Sequence, residues 1–169
     1  MFSRRLYDRR AVVAYAHRWA FGYNPRYYNY DEIGGDCTNF ASQCIFAGTG
    51  VMNFTPTFGW YYRTANDKSP SWTGVQYLYD FLNREVATPG PVGRSVPLEK
   101  IEAGDILQLS FNGTRFQHTP VVVSVQEPVT PQTIFVAAHS DAADHRSLSS
   151  YSYLCVRGIH ITGYYNDTL

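Results

Sequence analysis

Gly34-Gly35-Asp36-Cys37-Thr38-Asn39-Phe40-Ala41-Ser42-Gln43-Cys44 reads as a tight turn that runs straight into a helix. Paired glycines allow a backbone turn that side chains would obstruct. Asp36 is of a type that caps helix N-termini. From Cys37 onward Phe40, Ala41, Cys44 and Ile45 fall at helical spacing, with a stop expected at Gly48. Cys37 thus lies in the first helical turn, where free amide N–H groups and the macrodipole favour an anion. A thiol there ionises more readily, and the thiolate is the nucleophilic form. A helix start after Gly-Gly-Asp is also expected to face solvent, unlike the small buried hydrophobe that most free cysteines are. Cys37 is therefore the candidate nucleophile. Cys44 is two turns further along the same face, about 10 Å away in an intact helix, which is beyond disulfide reach. Cys44, and Cys155 in an apolar strand-like run, are expected to be core residues.

The 169 residues suit a single domain spanning 1–169 with a sizeable core. An apolar content of 44% with 17% charged residues is that of a globular chain, not a disordered one. The formal net charge of zero gives no reason to expect a nucleic-acid surface. Arg4, Arg5, Arg9 and Arg10 cluster around Asp8, as a solvated helix face would. No apolar run reaches membrane-spanning length and no signal-peptide hydrophobic region follows Met1. On the sequence as given, the expectation is a soluble chain that is not self-exporting, cytoplasmic as it stands, with its compartment left open. Three cysteines without metal-ligand spacing fit a reducing compartment better than a disulfide scaffold. The 16% aromatic content, with 14 tyrosines, covers a core while its hydroxyls stay wet, or lines a groove for a peptide or sugar.

Taken in order, the chain starts with a helix from Tyr7 to about Tyr23, ended by Asn24-Pro25. No clean period runs from Thr49 to Pro70, where Trp60-Tyr61-Tyr62 forms an aromatic knot that walls a cleft or covers the core. Ser71-Trp72-Thr73 opens a further helix with Val75, Leu78, Tyr79 and Leu82 on one face. Thr88 to Pro97, rich in proline and glycine, reads as a connector. The period then becomes alternating. Strands are expected at Ile106–Leu109, from His118 with Val121, Val123 and Val125 on one face, at Ile134–His139, and at Tyr153–Ile161. Asn112-Gly113 marks a hairpin, and Pro120 an irregular start to the second strand. Helices first and strands afterwards mean α+β, with N-terminal helices packed on a C-terminal antiparallel sheet.

A thiolate nucleophile needs a base beside it and a group that orients the base. His118 opens one strand and His139 ends the next, so a hairpin can bring both to one sheet edge. Cysteine proteases follow this logic. Zinc is the rival for Cys37, His118 and His139, but no CxxC or HxxxH pair supports it. His17, His145 and His160 are read as surface or satisfied core residues. The pair is expected to hold Cys37 with a depressed pKa and His118 with a raised one.

The Cys37 block, Gly104-Asp105-Ile106-Leu107-Gln108, His118-Thr119, Ala138-His139-Ser140 and the ending Arg157-Gly158-Ile159-His160-Ile161 resemble the putative amidase domain family. Ala14-Tyr15-Ala16 with Trp19, Asn24-Pro25 and Ser71-Trp72 extend the likeness over nearly the whole chain. That family is related to the NlpC/P60 peptidases of papain-like fold. The resemblance implies a cysteine amidase or peptidase working through a thioester without a cofactor. It makes Cys37 the nucleophile, His118 the base and then acid, and His139 the orienting third residue; from the residues themselves, the carboxylate of Asp141 just after His139 is the alternative for that role. It implies cell-wall-type peptides as substrates, a substrate amine held by Asp36 and Thr38, and Tyr30 as a further binding residue. The Cys37 amide N–H is the natural oxyanion donor. Transfer of the acyl group to an amine, and a binding module without turnover, are the competing readings.

Overall fold

The structure is a computed structural model that describes residues 1–168. Helix α1 (Arg9–Trp19) starts at Asp8, whose carboxylate accepts from the Ala11 amide. It buries Val12 and Ala16 against α2 (Cys37–Thr49), which contributes Phe40, Ala41, Cys44 and Ile45. Gly48 does not stop α2. The helix runs on to Gly50, whose left-handed φ of 65° caps it. Gly48 is instead where α2 meets the start of α1. A Cβ on it would lie 2.5 Å from Val12 Cγ2 and 2.9 Å from the Asp8 carbonyl oxygen. The Gly48 carbonyl accepts from the Asp8 amide at 3.0 Å. Gly48→Ala should therefore cost about 1–3 kcal/mol by overpacking, seen as a lower urea midpoint at unchanged slope.

Seven strands form one sheet, paired antiparallel throughout. They are β1 (Phe2–Arg5), β4 (Gly90–Val96), β5 (Ile106–Ser110), β6 (Val121–Val125), β7 (Ile134–Ala138), β8 (Ala143–Ser147) and β9 (Cys155–Asp167). The order is β1-β9-β5-β6-β7-β8, with β4 along the other edge of β9. A short hairpin, β2 (Tyr62–Thr64) with β3 (Asp67–Lys68), stands apart. α3 (Pro70–Thr73) and α4 (Val75–Leu82) follow it. The helix expected from Ser71 is split at Gly74, whose extended backbone separates these two.

One face of the sheet, with Ile106, Val121, Val123, Ala137, Ile159 and Ile161, packs on the helices. The opposite face carries a smaller cluster of Leu107, Leu109, Val122, Ile134, Val136 and Leu148. Val125 joins this second cluster although the alternation placed it with Val121 and Val123. A register shift between Val122 and Ser124 turns the strand over. The stretch read as a connector contains β4, because the long β9 offers it an edge where Pro91 lies near the strand's start. The aromatic knot is a core cover: Trp60 is fully buried, its ring 4.6 Å from that of Trp72. Cys44 is core as expected, whereas Cys155 is exposed at the start of β9. Among the described residues no helix is long and apolar enough to cross a membrane.

Candidate active site

Gly34 and Gly35, at φ 87° and 101°, turn the chain into α2. The turn is clamped from the side by the β7–β8 connection, where Ser140 and Asp141 also take positive φ, 59° and 101°. The Asp36 amide donates to Ser140 Oγ at 2.5 Å, and Ser140 Oγ donates to Asp31 at 3.2 Å. A side chain on Gly35 would press on Ser140 Oγ at 3.2 Å. The two loops thus fix where Cys37 begins the helix.

Asp36 occupies the N-cap position but its side chain does not cap α2. The carboxylate accepts from the Tyr30 amide at 2.8 Å, from Asn39 Nδ2 at 2.9 Å and from His139 Nδ1 at 2.5 Å. His139, at the end of β7, uses its other nitrogen to donate to the Trp19 carbonyl at 2.7 Å. The Trp19 carbonyl can only accept, so Nε2 carries a hydrogen, and both ring nitrogens are engaged. Its face stacks on Phe40 at 4.0 Å between centroids. Asp36 and His139 are 0% and 2% exposed. They form a buried pair that ties α1, the Cys37 turn and β7 together.

This arrangement engages elsewhere several of the residues expected in the site. With both ring nitrogens engaged, His139 has none left to orient His118. Asp36 is buried within its own hydrogen bonds and is not presented to a substrate amine. Thr38 is also buried, its hydroxyl 3.0 Å from that of Thr119. Tyr30 donates its hydroxyl to the Ala65 carbonyl at 3.1 Å and does not line the cavity beside Cys37. Asp141 does line that cavity, but its carboxylate accepts from Arg146 Nη1 at 2.8 Å.

Cys37 and His118 do come together, as walls of one cavity of about 430 Å³. Gly34 and Gly35 form part of its rim, with Gln117, Asp141, Arg146 and Tyr151 among the other lining residues. His118 reaches it because its carbonyl and amide bridge to Leu109 before Pro120 delays regular pairing of β6. Gln117, Arg146 and Tyr151 escaped the sequence reading. Gln117 was signalled only by adjacency to His118, and the other two sit in segments with no motif.

Burial sets the electrostatics. Cys37 is 7% exposed, not open to solvent as a helix start led one to expect. Desolvation pushes its thiol up, opposed in part by hydrogen bonding from the Thr119 backbone and the Thr38 side chain. His118, 5% exposed, is pushed down from 6.5 to about 4. Desolvation leads here too, with Asp141 raising the value and Arg146 lowering it. Both directions are opposite to those expected for a preformed ion pair. The resting pair is a neutral thiol beside a neutral imidazole.

One consequence concerns stability. In the unfolded chain His118 takes up its proton as pH falls through 6.5, whereas the folded chain resists until about 4. Stability is therefore lost progressively between those values, by about 3 kcal/mol at pH 4 for a shift of this size. His118→Gln should flatten that part of the profile in urea titrations at pH 7, 5.5 and 4.5. An equally steep acid loss in the variant would contradict the buried neutral imidazole.

His118 Nε2 and the Tyr151 hydroxyl are the buried side-chain polar atoms without a hydrogen-bond partner among the described residues. Each such atom costs about 1–3 kcal/mol. No group of three or more His, Cys, Asp or Glu side chains among those residues is arranged to hold a metal ion.

Comparisons place this site in context. The model of a family described as "putative amidase domain" matches residues 6–162. The chain is also 35% identical over 121 residues to the uncharacterized protein YhbB of Bacillus subtilis (strain 168). That match covers 70% of this chain and 37% of the relative, so the chain spans well under half of that protein's length. No solved structure matches.

Proposed function

The chain belongs to the putative amidase domain family, and from that premise we propose that it hydrolyses amide bonds through a Cys37 thioester. The observation that carries this reading is the shared cavity: a thiol at a helix start and a histidine meet there, with room for an acyl group. Cys37 is the nucleophile and His118 the proton carrier. In acylation, the thiol proton passes to His118 as sulfur bonds to the carbonyl carbon. The C–N bond then breaks and His118 returns the proton to the leaving amine. A water molecule next attacks the thioester, giving one proton to His118. The S–C bond breaks, the carboxylic acid leaves and the thiol is restored.

The uncapped start of α2 supports the same reading. Asp36 is turned toward Tyr30, Asn39 and His139, which leaves the first turn of α2 without a side-chain cap. The Cys37 amide N–H is the donor for the developing oxyanion. A neutral thiol–imidazole pair makes general-base removal of the thiol proton the first event, not attack by a standing thiolate. On this proposal the helix, its nucleophile and the sheet-borne histidine would follow a papain-like plan. Peptides of the bacterial cell-wall type are the first substrate class to try. The test is amine release from a panel of muropeptides and N-acyl peptide amides, followed by mass spectrometry. Release by the wild type and none by Cys37→Ser is expected. Equal release by Cys37→Ser would refute the thioester route.

A further inference from the structure

We propose that Tyr151 is the positioning residue behind His118, its hydroxyl oxygen accepting from the His118 Nε2–H. The inference rests on the reading of Cys37 and His118 as nucleophile and base. Three observations carry it. His118 Nε2 and Tyr151 Oη are both buried and both without a partner among the described residues. The two rings are neighbours, 5.7 Å between centroids and tilted by 45°, and both line the cavity that holds Cys37. Finally, the residues a sequence reading would put behind the base are committed elsewhere, His139 to Asp36 and Trp19, and Asp141 to Arg146.

The chemistry follows from which nitrogen must do what. A base that accepts the thiol proton at one ring nitrogen must carry its hydrogen on the other. An acceptor at Nε2 selects the tautomer with a free lone pair at Nδ1, and stays engaged when the ring becomes an imidazolium. A phenol oxygen can accept in both states, and its own hydrogen can turn away to suit. A hydrogen bond between the two orphaned atoms would satisfy both at once. Tyr151 is itself held in place: the Arg146 guanidinium lies over its ring at 3.7 Å, and Arg146 Nε donates to Ser150 Oγ at 2.7 Å. Arg146 and Asp141 are the charged groups facing this pair, and their mutual ion pair at 2.8 Å leaves little net charge there.

Tyr151→Phe keeps the ring under the Arg146 guanidinium and removes the hydroxyl. The probe is p-nitrophenyl acetate, used in a Cys155→Ser background so that the exposed thiol does not contribute. The acylation burst of Tyr151→Phe should be about ten- to a hundredfold slower, a fraction of what the base itself supplies. His118→Ala should be slower still, and Cys37→Ala should show no burst. Nitrogen-15 NMR of His118 reads the tautomer independently of rate. The wild type should carry its hydrogen on Nε2, and Tyr151→Phe should show a mixture or the Nδ1–H form. A wild-type burst with an unchanged tautomer in Tyr151→Phe overturns the proposal, as does an Nδ1–H tautomer in the wild type. A burst that survives in Cys37→Ala sinks the thioester reading itself, and the positioning role with it.

Discussion

Cys37→Ala is expected to lower amide hydrolysis by about four to six orders of magnitude while leaving the fold standing. The side chain lies at the edge of the core, on the cavity wall, and its sulfur has two long contacts besides the Thr119 backbone. These are 3.7 Å to Thr38 Oγ1 and 4.0 Å to the Gln117 carbonyl. Cys44, two turns further along α2, is the internal control. It is fully buried among Phe40, Ala41 and Ile45. Cys44→Ala should cost stability, about 1 kcal/mol or more, and keep its turnover below the melting range. Thermal melts and rates on both variants read the two effects separately. Full activity in Cys37→Ala beside an inactive, folded Cys44→Ala would reverse the assignment.

His139→Ala should produce the largest loss of stability, about 3–5 kcal/mol, because it leaves the Asp36 carboxylate buried and without its main partner. The pair spans three elements: the end of α1 through the Trp19 carbonyl, the Cys37 turn through Asp36, and β7. Turnover should fall by more than the unfolded fraction explains. A released Asp36 can swing back to its N-cap position and occupy the amides at the start of α2. If His139 merely oriented His118, the melt would hardly move and only the rate would suffer. Urea unfolding of His139→Ala within about 0.5 kcal/mol of the wild type, the range of a neutral surface change, would contradict the buried tie.

The comparison of expectation with structure separates local from long-range information. The Gly-Gly-Asp-Cys turn, the existence of α1 and α2, the strands β5 to β7 and the irregular start at Pro120 are all short-range signals, and they were legible, whereas the register shift that moves Val125 to the other face was not. β4 was not, because its glycines and proline argue against a strand and only the edge of β9, some 70 residues later, recruits it. The site shows the same division. Cys37 and His118 stood out because each falls where the sequence places the start of an element, although β6 itself begins only at Val121. Asp36 looked like a cap and a substrate ligand, yet a histidine 103 positions away claims its carboxylate. The acidity of the thiol was misjudged for a related reason. A helix terminus can be read from spacing, but the desolvation that outweighs it comes from the loops of β5–β6 and β7–β8 closing around Cys37.

The central claim is that an acyl group is carried on Cys37, and acid-quenched peptide mapping tests it most directly. Wild-type protein mixed with a cleavable muropeptide or peptide amide is stopped within its first turnover and digested, and the fragment bearing Cys37 is weighed. The account predicts the mass of the substrate's acyl group on that fragment, no adduct on the Cys44 or Cys155 fragments, and little or none in His118→Ala. Turnover that proceeds with Cys37 unmodified at every quench time, and that persists in Cys37→Ala, would contradict it.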